Sequence, residues 1–247
     1  MIRTAIIIAG GEGLRLLPLT NDKPKAMVEV KGKPLLYWDI QWLKSYGINH
    51  IVVGVAYRKD KIIKYLRENT NFGMKIDISE HTVEGGTAEA FNFAIKRFVP
   101  DENFVGMNCD ELTNMSLSKL IELHESRRPL ITMGLAPFHC RFSVVNFSDD
   151  SKVKDFQYGK KIDSLPISMG VYIFNRNIIN QIAEKGSIED TTFAKLVKKD
   201  QVIGRMLSKE EEWISINTVK DIEEAEILLG SWDTKRRKLD SRKKRDY

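Results

Sequence analysis

The stretch Ala9-Gly10-Gly11-Glu12-Gly13-Leu14-Arg15-Leu16-Leu17-Pro18-Leu19-Thr20, with Lys23-Pro24-Lys25 and Gly32-Lys33-Pro34 close behind it, decides the reading of this 247-residue chain. It follows an apolar, Ile-rich run, Arg3 to Ala9, that reads as a buried β-strand stopped by Gly10-Gly11. Glycines after a strand let the backbone approach a ligand closely and turn its N–H groups toward it. Arg15 adds a planar fork of donors matched to phosphate oxygens, and Lys25, fixed behind Pro24, adds a point charge. A phosphate-bearing ligand is the natural guest. The loop is not a dinucleotide fingerprint, which needs a further glycine and an immediate helix, and it is not a P-loop, which needs Gly-Lys-Ser/Thr.

Working outward, short β-rich runs alternate with helical ones. Pro34–Tyr46 reads as a helix with Leu36, Ile40 and Leu43 on one face and Gly47 as its stop. Ile51–Val55, Lys75–Ser79, Phe104–Met107 and Leu130–Ala136 read as strands, with helices over Asp60–Glu68, Thr87–Phe98 and Leu117–Ser126 between them. That alternation predicts an α/β fold with a Rossmann-like, mostly parallel sheet flanked by helices. Ligands of such sheets bind beyond the carboxyl ends of the strands, where Gly10-Gly11 and Asn108-Cys109-Asp110 both lie. The second half is more mixed. Ser143–Phe147 and Val153–Tyr158 form a hairpin around Ser148-Asp149-Asp150, Ser168–Asn175 is a strand, Thr191–Lys199 a helix, and Val202–Met206 and Trp213–Ile216 are short strands. Thr218 and Asp221 make a capping box, Asp standing for the usual Glu, that opens a helix to Gly230. The expected organisation is one domain over residues 1–232 with two lobes, at about 1–136 and about 137–232, and a basic tail over 233–247.

The signature resembles that of the sugar-phosphate nucleotidyltransferases, the NDP-sugar pyrophosphorylases, and in particular the short mannose-1-phosphate and heptose-1-phosphate guanylyltransferases. Their pattern G-G-x-G-T-R-L-x-P-L-T, P-K, G-K-P is matched at Gly10, Gly11, Gly13, Arg15, Leu16, Pro18, Leu19, Thr20, Pro24, Lys25, Gly32, Lys33 and Pro34, with Leu14 in place of Thr. The resemblance implies a nucleotide-diphospho-sugar transferase fold without the C-terminal β-helix of longer members. It implies transfer of a nucleotidyl group from a nucleoside triphosphate to a phosphorylated acceptor, with Arg15, Lys25 and Asp110 catalytic and Mg²⁺ as cofactor. Glu84-Gly85-Gly86-Thr87-Ala88-Glu89-Ala90 resembles P-L-G-T-A-G-A, which puts Gly86 and Thr87 against the base and Glu80 or His81 near its edge. Ala9, Gly10, Gly11, Gly13 and Asn108 complete the implied nucleotide-binding set. Asn108-Cys109-Asp110 resembles N-G-D, whose Asp holds the metal; Cys109 adds a side chain near the phosphates. Ser168-Met169-Gly170-Val171-Tyr172 resembles N-A-G-I-Y, which assigns Met169 and Gly170 to the acceptor pocket.

Two segments depart from the pattern. Where the family has Glu-Lys-Pro gripping the sugar phosphate, this chain has Tyr158-Gly159-Lys160-Lys161, so Lys160 or Lys161 takes that role or the pair is simply solvated. Where the family has a second acidic metal ligand in W-x-D-I-G-T or W-x-E-V-D-T, this chain has Trp213-Ile214-Ser215-Ile216-Asn217-Thr218. Asn217 still offers a carbonyl oxygen, and Mg²⁺ is held in many sites by one carboxylate with substrate phosphates and water. The departures keep two alternatives open: a nucleotide-sugar-binding regulatory homologue of weak turnover, and a cytidylyltransferase acting on a non-sugar phosphate.

The bulk numbers set the frame. The chain is 42% hydrophobic and 30% charged, ordinary for a globular α/β domain. No apolar run approaches a bilayer span, and Ala5–Ala9 is too short for a signal-peptide core, so a cytoplasmic location is expected. Neither the two cysteines, Cys109 and Cys140, nor the four histidines show metal-ligand or disulfide spacing. The net charge of +5 resides in the tail, where eight Lys and Arg face three Asp between Asp233 and Tyr247. The body is electrically balanced, which argues against a nucleic-acid-binding body and leaves the tail open to RNA, an anionic surface or a partner subunit. Homo-oligomerisation is left open.

Overall fold

Strand β1 (Thr4–Ile8) is buried on both sides, and its side chains alternate between two cores. Ala5 and Ile7 pack into one with β4 (His50–Val55), α1 (Leu35–Ser45) and α2 (Lys59–Glu68), and Ile6 packs into the other beneath α3 (Gly86–Phe98). A strand with consecutive apolar residues from Ala5 to Ile8 requires this two-sided burial. The structure is a computed structural model and describes residues 2–140 and 142–243.

The central sheet has seven strands. From one edge they are β12 (Val202–Met206), β8 (Ile131–His139), β11 (Lys161–Asn175), β6 (Asn103–Asn108), β1, β4 and β5 (Lys75–Glu80). β1 pairs in parallel with both β4 and β6, and β4 with β5, while β11 runs antiparallel between β6 and β8. The expected mostly parallel α/β sheet is therefore present, with β11 as its reversed member. β11 starts at Lys161, seven residues before the Ser168 start read from sequence, because its first half pairs with the end of β8. α4 (Leu117–Arg127) lies on the α1 side, begun by Ser116, whose hydroxyl accepts the Lys119 N–H.

The loops that matter are held by small added pieces. β2 (Glu29–Val30) and β3 (Lys33–Pro34) form a short hairpin, and β7 (Glu111–Thr113) pairs with β13 (Trp213–Ser215). A third core of Leu16, Val28, Leu35, Leu112, Ile214 and Ile216 ties these pieces to α6 (Val219–Lys243) through Ala225 and Leu229. Asp221 reaches back to accept the Asn217 and Thr218 N–H groups at 2.8 and 2.7 Å, one half of the expected capping box, while its own N–H donates to the Thr218 backbone carbonyl at 3.1 Å. The expected helix over Thr191–Lys199 opens instead with a π-turn, Glu189–Phe193, and is α-helical only over α5 (Ala194–Val197). β9 (Ser143–Phe147) and β10 (Val153–Tyr158) form a separate ribbon as read from sequence. Of the basic tail, the helix continues through Lys243, and residues 244–247 lie outside the described residues.

Candidate active site

The carboxyl ends of β1 and β6 open onto one recess of about 550 Å³. Its walls bring together Gly10, Gly11, Gly13, Arg15, Lys25, His81, Gly86, Thr87, Asp110 and Asn217, and add Ile8, Glu12, Leu14 and Val83. A larger hollow, lined by Arg3, Lys75 and Arg176 among others, lies at the opposite ends of the strands and contains none of these groups. For this topology the carboxyl-end recess is the expected ligand site.

The glycine loop is shaped by close packing. Gly13 sits at φ 72° and starts a 3-10 turn, Leu14–Leu16. Its carbonyl accepts the Thr20 hydroxyl at 2.9 Å, and Gly11 accepts the Lys25 N–H at 3.2 Å. A Cβ on Gly10 would lie 2.6 Å from His81 Nε2, so only glycine lets the loop rest against that ring. Burial pushes the His81 imidazole below its ordinary value, so a neutral ring lines this end of the recess.

Opposite the loop, three distant segments meet at one cation. Lys25 Nζ donates to Asp110 Oδ2, which follows β6, and at 2.9 Å to Asn217 Oδ1, which follows β13. Arg15 Nη2 donates to the same Asn217 oxygen at 2.7 Å. The orientation of that amide has its own support. Asn217 Nδ2 donates to Ser215 Oγ at 2.9 Å, Ser215 donates to Glu111 Oε1 at 3.2 Å, and Trp213 Nε1 donates to Glu111 Oε2 at 2.8 Å. Glu111 is thus the buried end of a polar chain that points the Asn217 oxygen, not its nitrogen, at Arg15 and Lys25. Burial, reinforced by the Asp110 charge, pushes the Glu111 carboxyl well above the usual range.

Mg²⁺ prefers oxygen ligands, and two oxygens, from Asp110 and Asn217, converge here on the position of an ammonium. No cluster of three or more His, Cys, Asp or Glu able to hold a metal occurs among the described residues. The donor set therefore fits a metal held by one protein carboxylate and completed by phosphate and water, not a closed protein cage.

The turn that brings Gly86 and Thr87 to the recess is clamped from below. Gly86 has φ 64°, and a Cβ there would lie 2.6 Å from the Gly186 carbonyl oxygen. That carbonyl accepts the Ala88 N–H at 2.9 Å, and Thr87 Oγ1 accepts the Ile188 N–H at 2.8 Å. Glu89 accepts the Thr82 N–H and hydroxyl at 2.7 and 2.8 Å, and these bonds hold its carboxyl below the usual range.

Other residues read from the sequence lie outside the recess walls. Glu80 is exposed and paired with Lys59, and Ala9 is buried behind the loop. Met169 is wholly buried in the core. A Cβ on Gly170, at φ 68°, would meet Asn108 Nδ2 at 2.9 Å and Glu111 Oε1 at 3.0 Å, which packs this glycine directly behind the polar chain. Lys160 is exposed in the turn after β10, and Lys161 opens β11 opposite His139. Cys109, expected beside the phosphates, does not line the recess. Its side chain is buried against Asp39 of α1, and burial pushes its thiol well up. Sequence reading missed Glu111 and the wall residues Ile8, Glu12, Leu14 and Val83; an acid directly after Asp110 was the available signal for Glu111.

The family model described as nucleotidyl transferase matches residues 4–230. The mannose-1-phosphate guanylyltransferase catalytic subunit beta of Drosophila pseudoobscura pseudoobscura is 29% identical over 224 residues, covering 88% of this chain and 60% of that protein. This chain spans 60–62% of the length of that and two further such subunits. The D-glycero-alpha-D-manno-heptose 1-phosphate guanylyltransferase of Campylobacter jejuni subsp. jejuni is 32% identical over 188 residues, 75% of this chain and 83% of that one. Among solved structures, HddC from Yersinia pseudotuberculosis complexed with GMP-PN superimposes with a TM-score of 0.71 at 24% identity, over 92% of this chain and 100% of that one, a likeness of fold.

Proposed function

This chain belongs to the nucleotidyl transferase family, and on that premise we propose that it is an enzyme joining a nucleoside triphosphate to a sugar 1-phosphate with release of pyrophosphate. The observation that carries the reading is the meeting of the Gly10–Gly13 loop, Arg15, Lys25, Asp110 and Asn217 in one recess at the carboxyl end of the sheet. In the reaction, an oxygen of the acceptor phosphate forms a bond to the α-phosphorus, and the bond from that phosphorus to the bridging oxygen of the β-phosphate breaks. The nucleophile is already ionised at neutral pH, so no general base is required, and catalysis is positioning plus charge stabilisation. The loop N–H groups and Arg15 hold the triphosphate. Lys25 exchanges its contact with Asp110 for oxygens around the α-phosphate. Asp110, assisted by Asn217, would hold Mg²⁺, which when bound supplies neutralising charge between the two phosphorylated substrates.

For the base we infer guanine. The neutral His81 ring, Ile8 and Val83 give the far end of the recess an uncharged wall, and the guanylyltransferase relatives support that choice. For the acceptor we infer a mannose- or heptose-like 1-phosphate. Asn217, standing beside Lys25 where the family pattern carries a second acid, is the observation that favours the rival reading, a regulatory homologue that binds nucleotide and turns over poorly. Pyrophosphate release should be measured with each of GTP, CTP, UTP, dTTP and ATP against sugar 1-phosphates and non-sugar phosphates, with Mg²⁺. Release with GTP and a mannose- or heptose-type acceptor is the expected result. Release only with CTP and a non-sugar acceptor replaces the substrate assignment, and nucleotide binding without release across the panel replaces the enzyme by the regulatory homologue.

A further inference from the structure

The ribbon of β9 and β10 carries a patch that the recess does not use. The strands pair Phe147 with Val153, Val145 with Phe156 and Ser143 with Tyr158. Directly paired residues of an antiparallel ribbon share a face, so Val145, Phe147, Val153, Phe156 and Tyr158 lie together. Asn146, Asp155 and Gln157 lie on the other face with Val144. The register slips between Val153 and Asp155. That extra residue, Lys154, brings Val153 into phase with Phe156 and Tyr158; an uninterrupted strand would place it on the polar face. The apolar face is nevertheless open, its five members standing 43% to 71% exposed. A two-stranded ribbon is marginal in water unless such a face is covered, and a contiguous apolar patch of this kind marks an interaction surface.

We propose that the apolar face of the β9–β10 ribbon docks on the same face of a second copy of this chain about a two-fold axis. Three observations favour a second copy over another occupant. The ribbon and its turns carry Lys152, Lys154 and Lys160 against Asp149, Asp150 and Asp155, a balanced flank that complements itself on rotation. A nucleic acid or an anionic surface would call for a flank of one sign. The five residues expose roughly 600 Å² per copy, so two copies would bury up to roughly 1,200 Å², the lower end of the standard interface size. No ribbon residue lines the recess, so pairing leaves that site open.

Sedimentation of the full chain over roughly a hundredfold range of concentration tests this. The expected species is a dimer, and Phe147→Asp with Phe156→Asp should raise its dissociation constant at least roughly 100-fold, because Phe156 lies in the middle pair of the patch and Phe147 flanks it. Gln157→Asp, on the polar face, should leave it unchanged. Circular dichroism and the thermal midpoint check that the variants fold, and the milder Phe156→Ser serves if the double variant does not. A wild-type monomer throughout overturns the proposal, as does a dimer indifferent to both aromatic variants. Loss of acceptor affinity in Phe156→Ser without change in mass also overturns it, assigning the face to the substrate.

Discussion

Replacing Ser215 by Ala tests the polar chain that aims Asn217 at the cations. Ser215 Oγ donates to Glu111 Oε1 at 3.2 Å and accepts from Asn217 Nδ2 at 2.9 Å. Its removal leaves a buried carboxyl oxygen and an amide N–H group without their partner. Each such bond contributes about 1 kcal/mol net, and stranding a buried partner adds to the loss, so the variant should lose about 2–3 kcal/mol of stability. Asn217→Ala removes the other end, which accepts from Arg15 at 2.7 Å and Lys25 at 2.9 Å. Arg15 is exposed and screened by solvent, so that variant should cost about 1–2 kcal/mol. Because the two residues share one bond, the double variant should cost about 1 kcal/mol less than the two single losses together. Turnover should fall about tenfold in Ser215→Ala, which only loosens Asn217, and about 100-fold in Asn217→Ala, with the double variant no worse than Asn217→Ala. Urea unfolding and pyrophosphate release provide the two readouts. Additive losses in both would show that Ser215 does not act through Asn217 and would refute the reasoning.

Asp110→Ala and Arg15→Ala should each lower turnover by roughly 10²–10³ with the fold retained; a near-normal rate in either would remove that residue from its assigned role. Gly86→Ala forces a side chain into a left-handed backbone and to within 2.6 Å of the Gly186 carbonyl, so a loss of about 3 kcal/mol and a raised nucleotide KM are expected. Urea unfolding that matches wild type would contradict the clamp. His124 is buried between Thr132 and Asn103, and burial pushes its pKa from 6.5 down to about 4. The unfolded chain therefore binds the proton first, so stability is full above pH 6.5 and about 3 kcal/mol is lost as pH falls from there to about 4. His124→Gln should flatten that limb of the stability profile, and parallel profiles for the two proteins would argue against His124 as its source.

Much of this protein was legible in its sequence because the deciding interactions are local. An Ile-rich run that ends in Gly10-Gly11 can only be a buried strand followed by an open loop, and its alternation between two cores follows from the two-residue period of a strand. Strand and helix alternation implied a parallel sheet, and a parallel sheet implies a ligand crevice at its carboxyl edge. The sheet pattern therefore assigns Gly10-Gly11 and Asp110 to one crevice, and the family signature adds Arg15 and Lys25 to it. The tertiary structure decided what depends on distances between remote segments. The reversed strand β11 wedges between β6 and β8 along a length that its own propensity does not mark. Cys109 turns into the core because α1 places Asp39 beneath it. The chain from Glu111 through Ser215 and Asn217 to Lys25 joins segments about a hundred and two hundred residues apart, and the bulge at Lys154 unites an apolar face that simple alternation would split. Propensity acts over a few residues, whereas a hydrogen bond forms only within a few ångströms, and only the packed sheet sets which distant side chains come that close.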